Sequence, residues 1–177
     1  FNQAMMEVGS LVCTVTNPKC NSCPLSPFCV AKRSDLVTEL PIKKKKIVVT
    51  QVQELATVLV NKKRILLGKR PVGQRWAGLW EVPHDTLEEG ETEAKALELI
   101  SRKYASLVSK KFREIGKVIH PVTRFKITVR VFMGEVSGKG ASDYYEELAW
   151  VSLSDLDKYP KSSPQSKVIA MVLKALA

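Results

Sequence analysis

Apolar and polar positions alternate most cleanly in RFKITVRVFMGEV, where Phe125, Ile127, Val129 and Val131 fall on every second residue. That period of two predicts a strand with one buried face. REIGKVIH, just before it, predicts a neighbouring strand. ELATVLV and RILLGKR are apolar runs separated by Asn61-Lys62-Lys63, the signature of a hairpin. TEAKALELISRKYASLV carries Ala94, Leu97, Ile100, Tyr104 and Leu107 at helical spacing. ELAWVS predicts another strand and SLSDLDKY a short helix. Ser163 then caps a closing helix with Pro164 at its first position. Near the chain start, Ala4, Met5, Val8, Leu11 and Val12 predict the buried face of a further helix. PVGQRWAGLWEVPHDTLEEGE shows neither period and predicts irregular backbone. Strands and helices on separate segments define an α+β fold.

Three zones follow from these patterns. Residues 1–33 hold the first helix and a cysteine-rich loop, and residues 51–177 hold the α+β pattern. Between them, residues 34–50 contain Pro41 and the run Lys43 to Lys46 without apolar periodicity, a linker signature. The chain begins at Phe1, within the helical pattern, as expected for a piece of a longer protein. The first residues lack the basic start and cleavage site of a signal peptide, and no apolar run spans a bilayer. A soluble protein without a membrane partner is expected.

Composition adds one fact that matters. Lys and Arg number 28 against 18 Asp and Glu, a net charge of +10. Either simple solubility or a polyanionic partner accounts for it.

All four cysteines lie in CTVTNPKCNSCPLSPFC, at Cys13, Cys20, Cys23 and Cys29. Nothing points to secretion, which argues against a disulfide framework. Four-thiolate zinc sites are usually built from two close C-x2-C pairs, and only Cys20 and Cys23 form one here. Uneven spacing suits thiolates converging on a larger iron–sulfur cluster better than on one ion, and zinc stays open on spacing alone.

NQAMMEVGSLVC followed by NPKCNSCP resembles the end of the catalytic domain in the MutY family of adenine DNA glycosylases. The resemblance implies a [4Fe-4S] cluster on Cys13, Cys20, Cys23 and Cys29. It also implies that the loop between the first two cysteines, with Lys19, contacts the DNA backbone.

GLWEVPHDTLEEGETEAKALELISRKYAS resembles a Nudix box, G-x5-E-x7-R-E-U-x-E-E-x-G-U. With Glu91 on the first Glu, the Arg-Glu pair falls on Leu99 and Ile100, the Glu-Glu pair on Lys103 and Tyr104, and the opening Gly on Asp85. Such hydrolases need clustered carboxylates to hold hard cations, and this helix keeps only Glu98 nearby. Nudix pyrophosphohydrolase activity is therefore the disfavoured alternative, with a zinc-binding adaptor as another. The MutY resemblance instead implies a Nudix-like mixed sheet flanked by helices, recognising 8-oxoguanine opposite adenine. RPVGQRWAGLWEVP is similar to that family's entry to the domain, with Trp76, Leu79 and Trp80 expected as packing residues.

The family's lesion-reading tripeptide aligns with Val122-Thr123-Arg124, preceded by His120. Thr123 keeps the hydroxyl. Oxidation at C8 turns guanine N7 from acceptor to N–H donor, which a hydroxyl oxygen can accept. The basic residues of 61–75 (Lys62, Lys63, Arg64, Lys69, Arg70, Arg75), with Arg124, Lys126 and Arg130, are expected to include groove-lining groups. No carboxylate of this chain sits in a matching catalytic motif. The partners implied are duplex DNA carrying adenine opposite 8-oxoguanine and a catalytic portion N-terminal to this segment, in an intracellular, DNA-associated protein.

Overall fold

The computed structural model describes residues 1–42 and 48–176, so the lysine run at 43–46 lies outside the described residues. The chain divides into two compact units, residues 1–47 and 48–177.

In the first unit, α1 (Asn2–Leu11) is followed by two 3₁₀ turns, Cys20–Ser22 and Ser26–Phe28, and by α2 (Val30–Arg33). The predicted helix is present but its predicted burial is not: no residue of α1 is buried, Met5 is 45% exposed and Leu11 66%. A unit this short has too little chain to cover an apolar helix face. Among the described residues of the unit, nothing packs over the helix closely enough to bury that face.

The second unit is built on a mixed seven-stranded sheet. β1 (Thr50–Asn61), β2 (Arg64–Lys69), β3 (Trp80–Glu81), β4 (His84–Thr86), β5 (Phe112–Val122), β6 (Phe125–Glu135) and β7 (Glu147–Ser152) contribute, with the main path β3-β2-β1-β6-β5. β4 pairs with β1, and β7 with β2. The central pair, β1 and β6, is parallel and in register from Thr50↔Phe125 to Val60↔Glu135. It is flanked by antiparallel hairpins, so the sheet is mixed. β3 and β4 arise inside the stretch expected to be irregular: at two and three residues they are too short to show alternation.

α3 (Glu93–Ala105) covers one face of the sheet through Ala96, Leu97, Ile100 and Tyr104 against Leu55, Phe132 and Tyr145. Ala94, expected on that stripe, is exposed on the first turn. α4 (Ser163–Leu176) covers the other face with Val168, Ile169 and Val172 against Val118, Val129 and Val131. Ser163 is itself the first helical residue, and Ser162 accepts the Ser166 N–H through its carbonyl at 2.9 Å, one position earlier than expected. No helix among the described residues is long and apolar enough to cross a membrane.

Candidate nucleic-acid interface

Thr123 and Arg124 form a two-residue connection between β5 and β6, closed by the pair Val122↔Phe125. Thr123 has φ +54°, a left-handed backbone that a β-branched residue adopts at a cost. The turn is held from the next strand: the Thr50 N–H donates to the Arg124 carbonyl at 2.9 Å. Arg124 lies over the Phe125 ring at 5.2 Å, and both Thr123 and Arg124 are exposed. The Thr123 hydroxyl is thus exposed on a strained backbone at the tip of the β5–β6 hairpin.

Beside the turn is a cavity of about 210 Å³ lined by His120 and Val122 of β5, Glu54, His84, Gln165 and the Arg75–Trp76 loop. The His120 Nδ1 is buried without a partner, and burial lowers that ring's pKa. Trp76 corrects the expectation from sequence. It is 40% exposed, has φ +62°, and carries the Arg75 guanidinium over its ring at 4.9 Å. Trp80, expected to pack, does so at 8% exposure. The two tryptophans look alike in sequence, and only the turn geometry separates them.

Under the cavity runs a chain of charges. Arg70 grips Glu81 through both carboxylate oxygens, at 2.9 and 3.0 Å, and the Tyr145 hydroxyl donates to Glu81 at 3.1 Å. His84 stands between two carboxylates, with Nδ1 at 3.2 Å from Glu54 and Nε2 at 3.4 Å from Glu81. Burial opposes its protonation, but the two carboxylates outweigh that and raise its pKa to about 9. This network pins β1, β3 and β4 together beneath the Arg75–Trp76 loop.

The structure sorts the basic residues. Arg70 is paired with Glu81, Lys69 with Glu146 at 3.2 Å, and Arg130 with both Glu93 and Glu114. Lys62, Lys63 and Arg64 sit just past the other end of β1, beyond Val60, which lies ten residues along from the register of Thr50 with Phe125. At about 3.3 Å per residue that is roughly 33 Å away, so they share no short surface with the turn. Arg75, Arg124 and Lys126 remain at the Thr123 end, without ion pairs among the described residues.

The helix that would carry a hydrolase's carboxylates is otherwise engaged. Lys103 of α3 bonds Asp85 at 2.7 Å, and the Tyr104 hydroxyl donates to the same oxygen at 2.9 Å. Glu98 pairs with Arg102 at 2.7 Å, and Glu93 with Arg130. Among the described residues, no three carboxylates gather into a set that could hold a cation.

In the first unit all four cysteines, with Lys19 and Lys32, line one small pocket. Lys32 reaches back to the Ser26 hydroxyl at 2.7 Å, closing the loop over it. Lys19 is exposed, and its N–H donates to the Val12 carbonyl at 2.9 Å. Among the described residues, no group of three or more His, Cys, Asp or Glu side chains is arranged to hold a metal ion.

Residues 55–171 match the model of the NUDIX domain, and the chain belongs to that family. Within it, the curated relatives are adenine DNA glycosylases. That of Arabidopsis thaliana is 30% identical, over 87% of this chain and 29% of its own length. The Schizosaccharomyces pombe enzyme is 28% identical, over 89% of this chain and 44% of its own length. The chain thus spans less than half of the curated relatives it matches. The C-terminal domain of mouse MUTYH, solved in complex with human PCNA, is 25% identical with a TM-score of 0.56, covering 71% of this chain and 90% of that domain. The MutT protein of Methanosarcina mazei, at 19% identity and TM-score 0.66 over 73% of this chain and 98% of its own, shares the fold.

Proposed function

We propose that this chain is the lesion-recognition end of an adenine DNA glycosylase, and that the Thr123–Arg124 turn reads 8-oxoguanine opposite adenine. The observation that carries the reading is Thr123: an exposed hydroxyl held at φ +54° on a hairpin tip, with Arg124, Lys126 and Arg75 nearby as cations without ion pairs among the described residues. The Thr123 oxygen accepts the N7–H that oxidation creates, and the cations meet flanking phosphates. Cleavage of the glycosidic bond is assigned to no carboxylate here.

Cys13, Cys20, Cys23 and Cys29 would hold a [4Fe-4S] cluster. Four thiols lining one pocket support a shared site, their uneven spacing suits a cluster better than one ion, and Lys19 and Lys32 offset its thiolate charge. Bound there, the cluster would act as a structural staple for the loop. Lys19 would then be presented to the DNA backbone on a stiffened segment, which loses little entropy on binding.

Duplex binding tests the first part. Wild type should prefer 8-oxoguanine over guanine opposite adenine at matched salt, and Thr123→Ala should lose that preference. Equal affinity of the wild type for both duplexes would sink the reading. Iron and zinc content, with visible absorbance, test the second: zinc bound in place of iron would support the adaptor alternative.

A further inference from the structure

We propose that the far end of the sheet, roughly 33 Å from the Thr123 turn, is a docking groove for an acidic peptide segment of a partner protein with alternating apolar anchors. The groove encloses about 730 Å³ and has two distinct parts. Its floor is apolar, from Val60, Met133, Val136 and Leu176, and its rim is basic, from Lys110, Lys111 and Arg113. These three cations are exposed and form no ion pair among the described residues. Glu135 is the single acid on the lining.

The wall is built rather than loose. The Ser109 hydroxyl donates to the Lys111 carbonyl at 3.0 Å, fixing the bend that presents the lysines. Gly134 admits this bend, since a Cβ there would stand 2.6 Å from the Ser109 oxygen and 2.8 Å from the Phe112 ring. β5 begins here, with Phe112 opposite Gly134 and Arg113 opposite Met133 of β6. The neighbouring β1–β2 turn adds Lys62 and Lys63, both at positive φ. An extended peptide would lie across this end of the sheet, set apolar side chains on the floor and place carboxylates against the rim.

Duplex DNA fits this groove less well. A hairpin tip that reads a base points its strands at the duplex, which leaves the far end well beyond a helix about 20 Å wide. An apolar floor also offers phosphates nothing.

The test uses the full chain and a fluorescein-labelled peptide of alternating glutamate and leucine, read by anisotropy. Binding should fall by about tenfold or more in Lys110→Glu/Lys111→Glu/Arg113→Glu, and similarly when serine replaces leucine in the peptide. It should be unchanged in Arg124→Ala. The three substituted residues are exposed, and an unchanged thermal midpoint confirms folding. The proposal is overturned if a lysine–leucine peptide binds as well, or if the triple variant retains binding. It is also overturned if that variant weakens duplex binding as much as Arg124→Ala does, which would make the surface a DNA contact.

Discussion

The Lys103 ammonium lies 2.7 Å from the Asp85 carboxylate, at a helix position where a metal-dependent Nudix hydrolase carries a glutamate. The protein supplies its own cation where the enzyme would hold a divalent one. Millimolar Mg²⁺ or Mn²⁺ should therefore leave the melting temperature of this unit unchanged. A ligand that bound the native state at 100 times its Kd would add about 2.7 kcal/mol, so a clear upward shift would contradict this account.

His84 makes stability depend on pH in one direction. Its pKa in the folded state, about 9, exceeds the unfolded value near 6.5, so its contribution is complete below pH 6.5 and is lost as pH rises through 9. At about 1.4 kcal/mol per pH unit between the two titrations, the loss is on the order of 3–4 kcal/mol. Urea unfolding at pH 6 and pH 9.5 should show this, and His84→Gln should flatten most of it. A flat wild-type profile would rule out the ion-paired histidine.

Thr123 allows stability and the proposed recognition to be tested apart. Replacing it with glycine removes the penalty of φ +54° and should raise stability by about 1 kcal/mol, seen as a higher urea midpoint. The same variant should lose preference for the oxidised lesion, whereas Thr123→Ser should keep it. Loss of stability in Thr123→Gly would show that the backbone there is not strained.

Gly68 tests how tightly the charge network is packed. A Cβ on this residue of β2 would lie 2.3 Å from the Tyr145 ring, whose hydroxyl bonds Glu81. Gly68→Ala should destabilise the second unit by roughly 1–3 kcal/mol. It should also redshift or broaden the near-ultraviolet tyrosine dichroism. A neutral substitution would mean that the ring moves freely.

How much of this was legible in the sequence depends on the range of the interaction. β1, β2, β5, β6, β7 and α3 each run long enough to show their period, and all are present. β3 and β4 are too short for a pattern and exist through partners supplied by β1 and β2. The resemblance pointed to Thr123, but its strain belongs to a turn geometry that no composition encodes. Pairings such as Tyr145 with Glu81, 64 positions apart, and the parallel register of β1 with β6 were not visible at all. Trp76 shows the limit most plainly, since an apolar residue type conveys nothing about a left-handed backbone that turns it outward.

The β1–β6 pair keeps the Thr123 turn and the β5-edge groove about 33 Å apart on a continuous ladder of strand hydrogen bonds. That span is about four Debye lengths at physiological salt, so charge brought to one end is screened from the other. Occupants of the two ends should bind as strangers. The free energy of one should be indifferent to the presence of the other, because the sheet between them acts as a spacer longer than the range of their charges.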